Sequence, residues 1–138
     1  MSAVPPTATT STGRGIALSV LVTTIVAGAV NTAISFAAQA LGADPTTIMG
    51  LQPVTYLVFT LIGALAGAVG WQLVRRRATN PAAVLRWLVP LVVALSLIPD
   101  VLVGMSLGWT GGIALALMHL AVAAVAVAAY RRFLPLAR

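Results

Sequence analysis

The sequence has no cysteine, no lysine and no glutamate, and charged residues make up only 7% of it. The absence of cysteine excludes disulfides, thiolate nucleophiles and cysteine-ligated metal sites. The absence of lysine excludes a Schiff base with retinal or pyridoxal phosphate. A soluble domain carries about 25% charged residues, so a chain with this few could not cover a water-facing surface.

Long apolar runs take the place of the missing charges, and 60% of the residues are hydrophobic. There are four runs, each long enough for one helix to cross a bilayer. None alternates strictly between apolar and polar residues, which favours helices over barrel strands. We predict an all-α fold, a four-transmembrane-helix bundle. The expected segments are a disordered tail over 1–14, a transmembrane domain over 15–133 with helices at about 16–41, 53–74, 82–107 and 112–131, and a C-terminal tail over 134–138.

Proline, asparagine and glycine indicate where the helices begin, bend and end. Asn80-Pro81 is typical of an N-cap followed by proline in the first turn, so the third helix is expected to start there. Pro90 and Pro99 lie inside this helix and are expected to kink it, because proline lacks the N–H group and crowds the preceding turn. The segment 108–112, Gly-Trp-Thr-Gly-Gly, is predicted to form a tight turn before the fourth helix.

Every arginine lies at or beyond the end of an apolar run. With four spans, the N-terminus, the 75–86 connection and the C-terminus share one side of the membrane, and all eight arginines fall on that side. The positive-inside rule makes this side cytoplasmic. We therefore predict a multi-pass protein of the cell membrane with both termini in the cytoplasm. The predicted interface anchors are Arg14, Arg75, Arg76, Arg77, Arg86, Arg131 and Arg132.

The net charge of +6 indicates partners of opposite charge. Because the arginines border apolar spans, the expected partners are the lipid bilayer and its anionic headgroups at the cytoplasmic face. Nucleic acid is not expected, because the sequence has no basic helix face and no stripe of basic and aromatic residues. Trp71, Trp87 and Tyr130 fall at the arginine-rich interface and Trp109 at the opposite one, which is the arrangement of an aromatic belt.

Asp100 and His119 are the only ionisable groups apart from tyrosine within the apolar runs. Asp100 lies about 12 Å, and His119 about 10 Å, from the outer ends of the third and fourth helices, at about 1.5 Å per residue. The helices are consecutive and joined by a short connection, so a contact between the two side chains is geometrically plausible; the alternative is that the two groups do not touch. Such a pair is either a structural lock between two helices or a site that handles protons or solutes.

The first three helices carry further polar side chains at a similar depth. Those of the first two are spaced by four residues, and Ser96 lies one turn from Asp100, so in each helix they share a face. If these faces point inward, the outer half of the bundle holds a polar pocket, whereas the inner half has almost no polar groups. A pocket open outward and closed inward suits ligand binding, and interhelical hydrogen bonding without a ligand is the equal alternative. The candidate pocket residues are Asn31, Ser35, Tyr56, Thr60, Ser96, Asp100 and His119.

Small residues also recur at helical spacing, which lets helix backbones approach closely. They indicate packing within the bundle, and a seam between copies in a homo-oligomer is the alternative. A further membrane-protein partner stays open as well. These stripes consist of Gly63, Gly67 and Gly70 in the second helix and of Gly112, Ala116, Ala123 and Ala126 in the fourth.

The segment 104–108, Gly-Met-Ser-Leu-Gly, matches the G-x-S-x-G nucleophile pattern, but that pattern needs a strand–turn–helix elbow, and no strand is predicted here. One histidine cannot provide the two ligands of a bis-histidine haem. A zinc site needs more ligands than His119 and Asp100. We therefore expect no catalytic residues, no cofactor and no metal, and a protein that is not an enzyme.

The segments 97–100 (Leu-Ile-Pro-Asp) and 117–120 (Leu-Met-His-Leu), together with Asn31, resemble an uncharacterised family of small four-helix membrane proteins from actinobacteria. The resemblance extends over about residues 14–133. It implies a multi-pass bacterial membrane protein and assigns no activity. The size is also similar to that of the small multidrug transporters, but those carry a glutamate in the first membrane helix, where this chain has no carboxylate.

Two hypotheses for the function follow. The first is a non-enzymatic structural or accessory membrane protein of uncharacterised biochemical function, whose polar residues serve packing. The second is a proton-linked small-solute transporter or ligand-binding membrane protein that uses Asp100 and His119 in an outward-facing polar pocket.

The four-span topology predicts the location of each connection. Reporter fusions after Asp44, Thr79 and Gly111 are expected to read outside, inside and outside, because the positive charge of the 75–86 connection keeps it in the cytoplasm. Paired alkaline phosphatase and fluorescent-protein fusions measure this. An inside signal after Asp44 would contradict the four-span topology.

Overall fold

The computed structural model describes residues 9–136, which are almost entirely helical. Four helices or helix pairs are long and apolar enough to cross a membrane, as the sequence predicted. The third of these spans consists of two helices, α3 and α4. The elements are α1 (Thr9–Ala40), a short 3₁₀ helix (Met49–Leu51), α2 (Pro53–Arg77), α3 (Pro81–Ser96), α4 (Ile98–Leu107) and α5 (Trp109–Phe133).

α1 begins at Thr9, inside the segment that the sequence predicted to be a disordered tail; residues 1–8 of that segment lie outside the described residues. The last proline before α1 is Pro6, so nothing in 9–14 interrupts a helix that propagates back from the apolar run. At its other end α1 stops before Gly42, which has a positive φ of 92° and turns the chain.

The third span breaks at Leu97, between α3 and α4. Pro99 follows in the first turn of α4. Because proline has no N–H group, a continuous helix would leave a carbonyl of α3 without a donor, and the regular hydrogen-bond pattern is interrupted here. Pro90, by contrast, lies inside α3 without ending it. At the start of α3, the Asn80 side chain accepts a hydrogen bond from Ala83 N at 3.1 Å, as expected of an N-cap.

The predicted turn over 108–112 is shorter than expected, because α5 already begins at Trp109. Gly108 alone makes the turn, with a positive φ of 111°. The next two glycines, Gly111 and Gly112, lie within α5 and allow close contact with neighbouring residues. A Cβ atom on Gly111 would overlap Ile48, and one on Gly112 would lie 2.6 Å from Gly104 Cα and 2.8 Å from the Asp100 carbonyl oxygen.

α5 is the central helix of the bundle, packed against α1, α4, α2 and α3. α2 packs against α1 and, near the 78–80 connection, against α3. Gly15 lies against the Phe133 carbonyl, whereas Ala38 and Ala114 share a cluster far from it. α1 and α5 are therefore antiparallel. The end of the bundle with Gly15 and Phe133 is called the arginine-rich end, and the end with the 41–52 loop the Asp44 end.

The arginine-rich end is closed by the segment after α5, which the sequence predicted to be a tail. Leu134 is only 1% exposed, and its carbonyl oxygen accepts a hydrogen bond from Trp71 Nε1 at 3.0 Å. Arg75 donates to the Pro135 carbonyl oxygen at 3.1 Å. Residues 134–136 therefore pack against the bundle because apolar and hydrogen-bonding partners converge there. Residues 137–138 lie outside the described part of the chain.

Two of the predicted belt aromatics point into the protein instead of towards lipid. Trp71 and Tyr130 are each 4% exposed, their rings are 5.6 Å apart, and Tyr130 donates to the Ala64 carbonyl oxygen at 2.6 Å. Trp87 and Trp109 are exposed, and the Arg86 guanidinium lies 5.8 Å from the Trp87 ring centre. The sequence thus predicts near which end of the bundle these side chains lie, but not whether they point to the interior or to the surface.

The contact between Gly112 and α4 gives a test of the fold. Gly112→Ala is expected to destabilise the protein by about 1–3 kcal/mol, because the added methyl meets backbone atoms that cannot rotate away. The measurement is thermal unfolding in detergent micelles. Gly63→Ala is the matched control, since no atom lies within 4 Å of a Cβ at that position. Equal unfolding midpoints for the two variants would contradict the close approach of α4 and α5.

Candidate functional site

The break in the third span positions Asp100. Because α4 starts anew at Ile98, Asp100 lies in its first turn, where the free backbone N–H groups favour a carboxylate. Its side chain is only 5% exposed, since Gly104 and Gly112 let α4 lie directly on α5. The break at Leu97 therefore places an acidic group at a helix start inside an apolar bundle.

His119 lies near the middle of α5 and meets Asp100. Its Nδ1 atom is 2.7 Å from Asp100 Oδ2 and 3.2 Å from the carbonyl oxygen of Leu115, one turn earlier. The ring N–H is better aligned with Leu115, so the carboxylate contact lies off the N–H axis, and Asp100 Oδ2 has no aligned hydrogen bond. The His119 side chain is 45% exposed, in contrast to its partner. Asp100 is therefore enclosed by the bundle, whereas His119 is partly exposed.

A second polar group joins α1 to α2. Asn31 Nδ2 donates to Thr60 Oγ1 at 3.1 Å, and both side chains are buried. Ser35 Oγ donates to the Leu51 carbonyl oxygen at 2.7 Å, which holds the 3₁₀ helix against α1. Tyr56 is buried as well, and its hydroxyl is 3.0 Å from that of Thr32. These contacts satisfy most of the polar atoms that the sequence placed in a pocket.

Two members of this group were not among the candidate pocket residues. Thr32 pairs with Tyr56 and also donates to the Gly28 carbonyl oxygen at 2.8 Å. Gln39 donates to Ser35 Oγ at 3.0 Å. Gln39 shares the four-residue spacing of Asn31 and Ser35, so the pattern could have included it. Thr32 lies off that spacing and is identified only by its partner.

The structure places the two polar groups at one level of the bundle. Asn31 and His119 lie at nearly equal distances along α1 and α5 from the contact between Gly15 and Phe133. Asn31 Oδ1 and Asp100 Oδ2 are both buried without an aligned hydrogen bond. The seven predicted residues nevertheless do not form one pocket.

Ser96 is the clearest exception, because its hydroxyl donates to Val93 in its own helix at 2.8 Å. A cleft of about 300 Å³ at the Asp44 end is lined by Ser35, Tyr56 and Gln39, but not by Asp100 or His119. The cleft therefore contains only two of the seven candidate pocket residues, Ser35 and Tyr56.

The half of the bundle nearer the arginine-rich end is more polar than the sequence suggested. Ser19 and Thr23 are fully buried in α1, and Gln72 in α2 is 7% exposed. Neither amide atom of Gln72 has a hydrogen-bond partner among the described residues. The sequence does not identify these side chains, because their segments are otherwise apolar. Whether a single polar residue is buried depends on which face of its helix packs against a neighbouring helix.

Asp44, the other acidic residue, stabilises the loop at the opposite end. Its carboxylate accepts hydrogen bonds from the backbone N and the hydroxyl of Thr46, each at 2.8 Å, and from the hydroxyl of Thr47 at 3.1 Å. The Thr46 backbone N–H contributes most to lowering the pKa of this exposed carboxyl group, followed by the Thr46 hydroxyl. Asp44 therefore serves the turn between α1 and the 3₁₀ helix.

Comparison with known proteins identifies a protein family. A family model described as a family of unknown function (DUF6069) matches residues 3–135, which include all four spans and both polar groups. No curated protein and no solved structure matches the chain.

The Asn31–Thr60 bond predicts a characteristic pattern of stabilities. Thr60→Val is expected to cost about 1–2 kcal/mol, because the buried Asn31 amide loses its acceptor. The double variant Asn31→Leu with Thr60→Val is expected to recover part of that loss, because no polar group is then left unpaired. Unfolding in detergent measures both, with Thr110→Val at an exposed position as the control. Additive losses in the double variant would contradict the bond.

Proposed function

We propose a function for this chain, which belongs to the family of unknown function DUF6069: it is a non-enzymatic integral membrane protein that serves as a structural or accessory component. Its buried polar side chains fasten the four spans to one another. The observation that carries this proposal is the pairing of these side chains across helices. Asn31 is bonded to Thr60, and Asp100 lies against His119.

This pattern of contacts is the one that a packing role requires. In hydrocarbon, a polar side chain stabilises the bundle only if its partner is on another helix, since lipid offers no hydrogen bonds. α1 is fastened to α2 by Asn31 and Thr32, and α4 to α5 by Asp100. The proposal therefore explains why polar residues occur at the seams of an otherwise apolar chain.

The same proposal places the protein in the cell membrane of a bacterium, with the arginine-rich end in the cytoplasm. Support comes from the arginines, because the described ones lie at or near one end of the bundle and most are exposed. Their charge suits anionic headgroups of the inner leaflet. The lysine-free, arginine- and alanine-rich composition fits a GC-rich genome, as in actinobacteria.

A second candidate function is proton or ligand binding at Asp100 and His119, and the 45% exposure of His119 favours it. A pair that served packing alone would be expected to bury both partners. An ionisable pair inside a membrane span also has the chemistry of a proton carrier, because one proton can reside on either group.

Replacing Asp100 discriminates between the two functions. Asp100→Asn keeps the shape and removes the charge, so the packing role predicts a loss of about 1–3 kcal/mol in unfolding free energy and no change in proton flux. Unfolding in detergent and pH-dye flux in proteoliposomes measure the two. Asp44→Asn, at an exposed loop position, is the matched control for proton flux, and Thr110→Val, at an exposed position, is the control for unfolding. Proton flux in the wild type that Asp100→Asn abolishes, with stability unchanged, would support the second candidate instead.

A further inference from the structure

His119 lies at the surface of the bundle, because 45% of its side chain is exposed although its partner Asp100 is buried. The Nδ1 edge of the His119 ring is directed at Asp100 and Leu115. The exposed remainder of the ring therefore includes the edge with Nε2, which makes no hydrogen bond to the described residues.

The number of protons on the pair decides whether Nε2 is a hydrogen-bond donor or an acceptor. A net charge within hydrocarbon is strongly disfavoured, so the pair is expected to be neutral overall. The Leu115 carbonyl can only accept, so Nδ1 carries a hydrogen. Two neutral arrangements then remain: a carboxylate beside an imidazolium, in which Nε2 also carries a hydrogen, and a carboxylic acid beside a neutral ring, in which Nε2 carries none. The 2.7 Å separation of Nδ1 and Oδ2 is typical of oppositely charged partners and favours the first arrangement, in which Nε2 is a donor.

Depth limits what can accept this hydrogen. His119 is ten residues into α5, about 15 Å from Trp109 at about 1.5 Å per residue, close to half the thickness of a bilayer core. Ester carbonyls of phospholipids lie near the headgroups and do not reach this level. Water is excluded from hydrocarbon as well. The acceptor must therefore belong to a molecule dissolved among the lipid tails.

We propose that His119, oriented by Asp100 and the Leu115 carbonyl, is a lateral binding site for a membrane-dissolved carbonyl compound, such as a long-chain ketone or a quinone. The Nε2–H group donates to the carbonyl oxygen of this ligand, and the apolar part of the ligand lies against the lipid-facing helices. This inference deepens the second candidate function, since it names a ligand class for the same pair. It needs no proton flow across the membrane.

The single histidine of the chain makes the site directly observable. Protein labelled with ¹⁵N-histidine is reconstituted in diether lipid, which has no carbonyl groups, and studied by solid-state NMR. 2-Tridecanone labelled with ¹³C at its carbonyl is the probe, and tridecane is the matched control without an acceptor. We expect Nε2 to be protonated without the probe, and the ketone to produce a saturable ¹³C–¹⁵N contact and a shift of Nε2. Tridecane should shift neither nitrogen.

Two variants and one lipid exchange complete the test. Asp100→Asn is expected to reduce ketone binding several-fold, because the ring loses the partner that fixes its orientation and its protonation, whereas Asp44→Asn binds as the wild type does. An unprotonated Nε2, or equal shifts with ketone and alkane, would overturn the proposal. A shift of Nε2 on replacing diether by diester lipid would overturn it as well, by identifying the lipid ester as the acceptor. These readouts are independent of proton flux, so they distinguish failure of the ligand class from failure of the proton-carrier function.

Discussion

Hydrocarbon offers no hydrogen bonds, so a polar side chain within a membrane span is stabilised when its partner lies on the same helix or on a neighbouring one. Gln72, whose amide atoms have no partner among the described residues, is an exception. Ser96 uses its own helix, whereas Asn31 uses Thr60 and Asp100 uses His119. These polar contacts join α1 to α2 and α4 to α5 in addition to the packing of the helices. In water the same polar groups would also bond to solvent, so these contacts would contribute less to the arrangement of the helices.

Close packing of small residues makes the most important of these contacts possible. Gly104 and Gly112 let the backbones of α4 and α5 touch, and this approach brings a carboxylate at the start of α4 to the imidazole on α5. The break at Leu97 is the other feature of the site, because it puts Asp100 in the first turn of α4. Proline and glycine thus shape the site without contributing any of its chemistry.

The asymmetry of the pair connects packing to function. Asp100 is enclosed between α4 and α5, whereas nearly half of the His119 side chain is exposed. If both side chains were buried, the pair would only hold α4 and α5 together. An imidazole with one nitrogen directed at Asp100 and part of its ring exposed can both join two helices and offer its second nitrogen to a ligand.

The sequence by itself determined the four membrane-length helices, the collection of arginines beside one end of the bundle, and the presence of Asp100 and His119 in consecutive spans. These follow from hydropathy, charge and helix length, which are local properties. It also predicted the N-cap at Asn80 and the polar face of Asn31 and Ser35. Only the tertiary structure decided that Trp71 and Tyr130 point inward, that the segment after Phe133 closes the bundle, and that Thr32 belongs to the α1–α2 seam. The direction in which a helix face points depends on its neighbours, and in lipid both faces of a helix are apolar, so hydropathy alone cannot distinguish them.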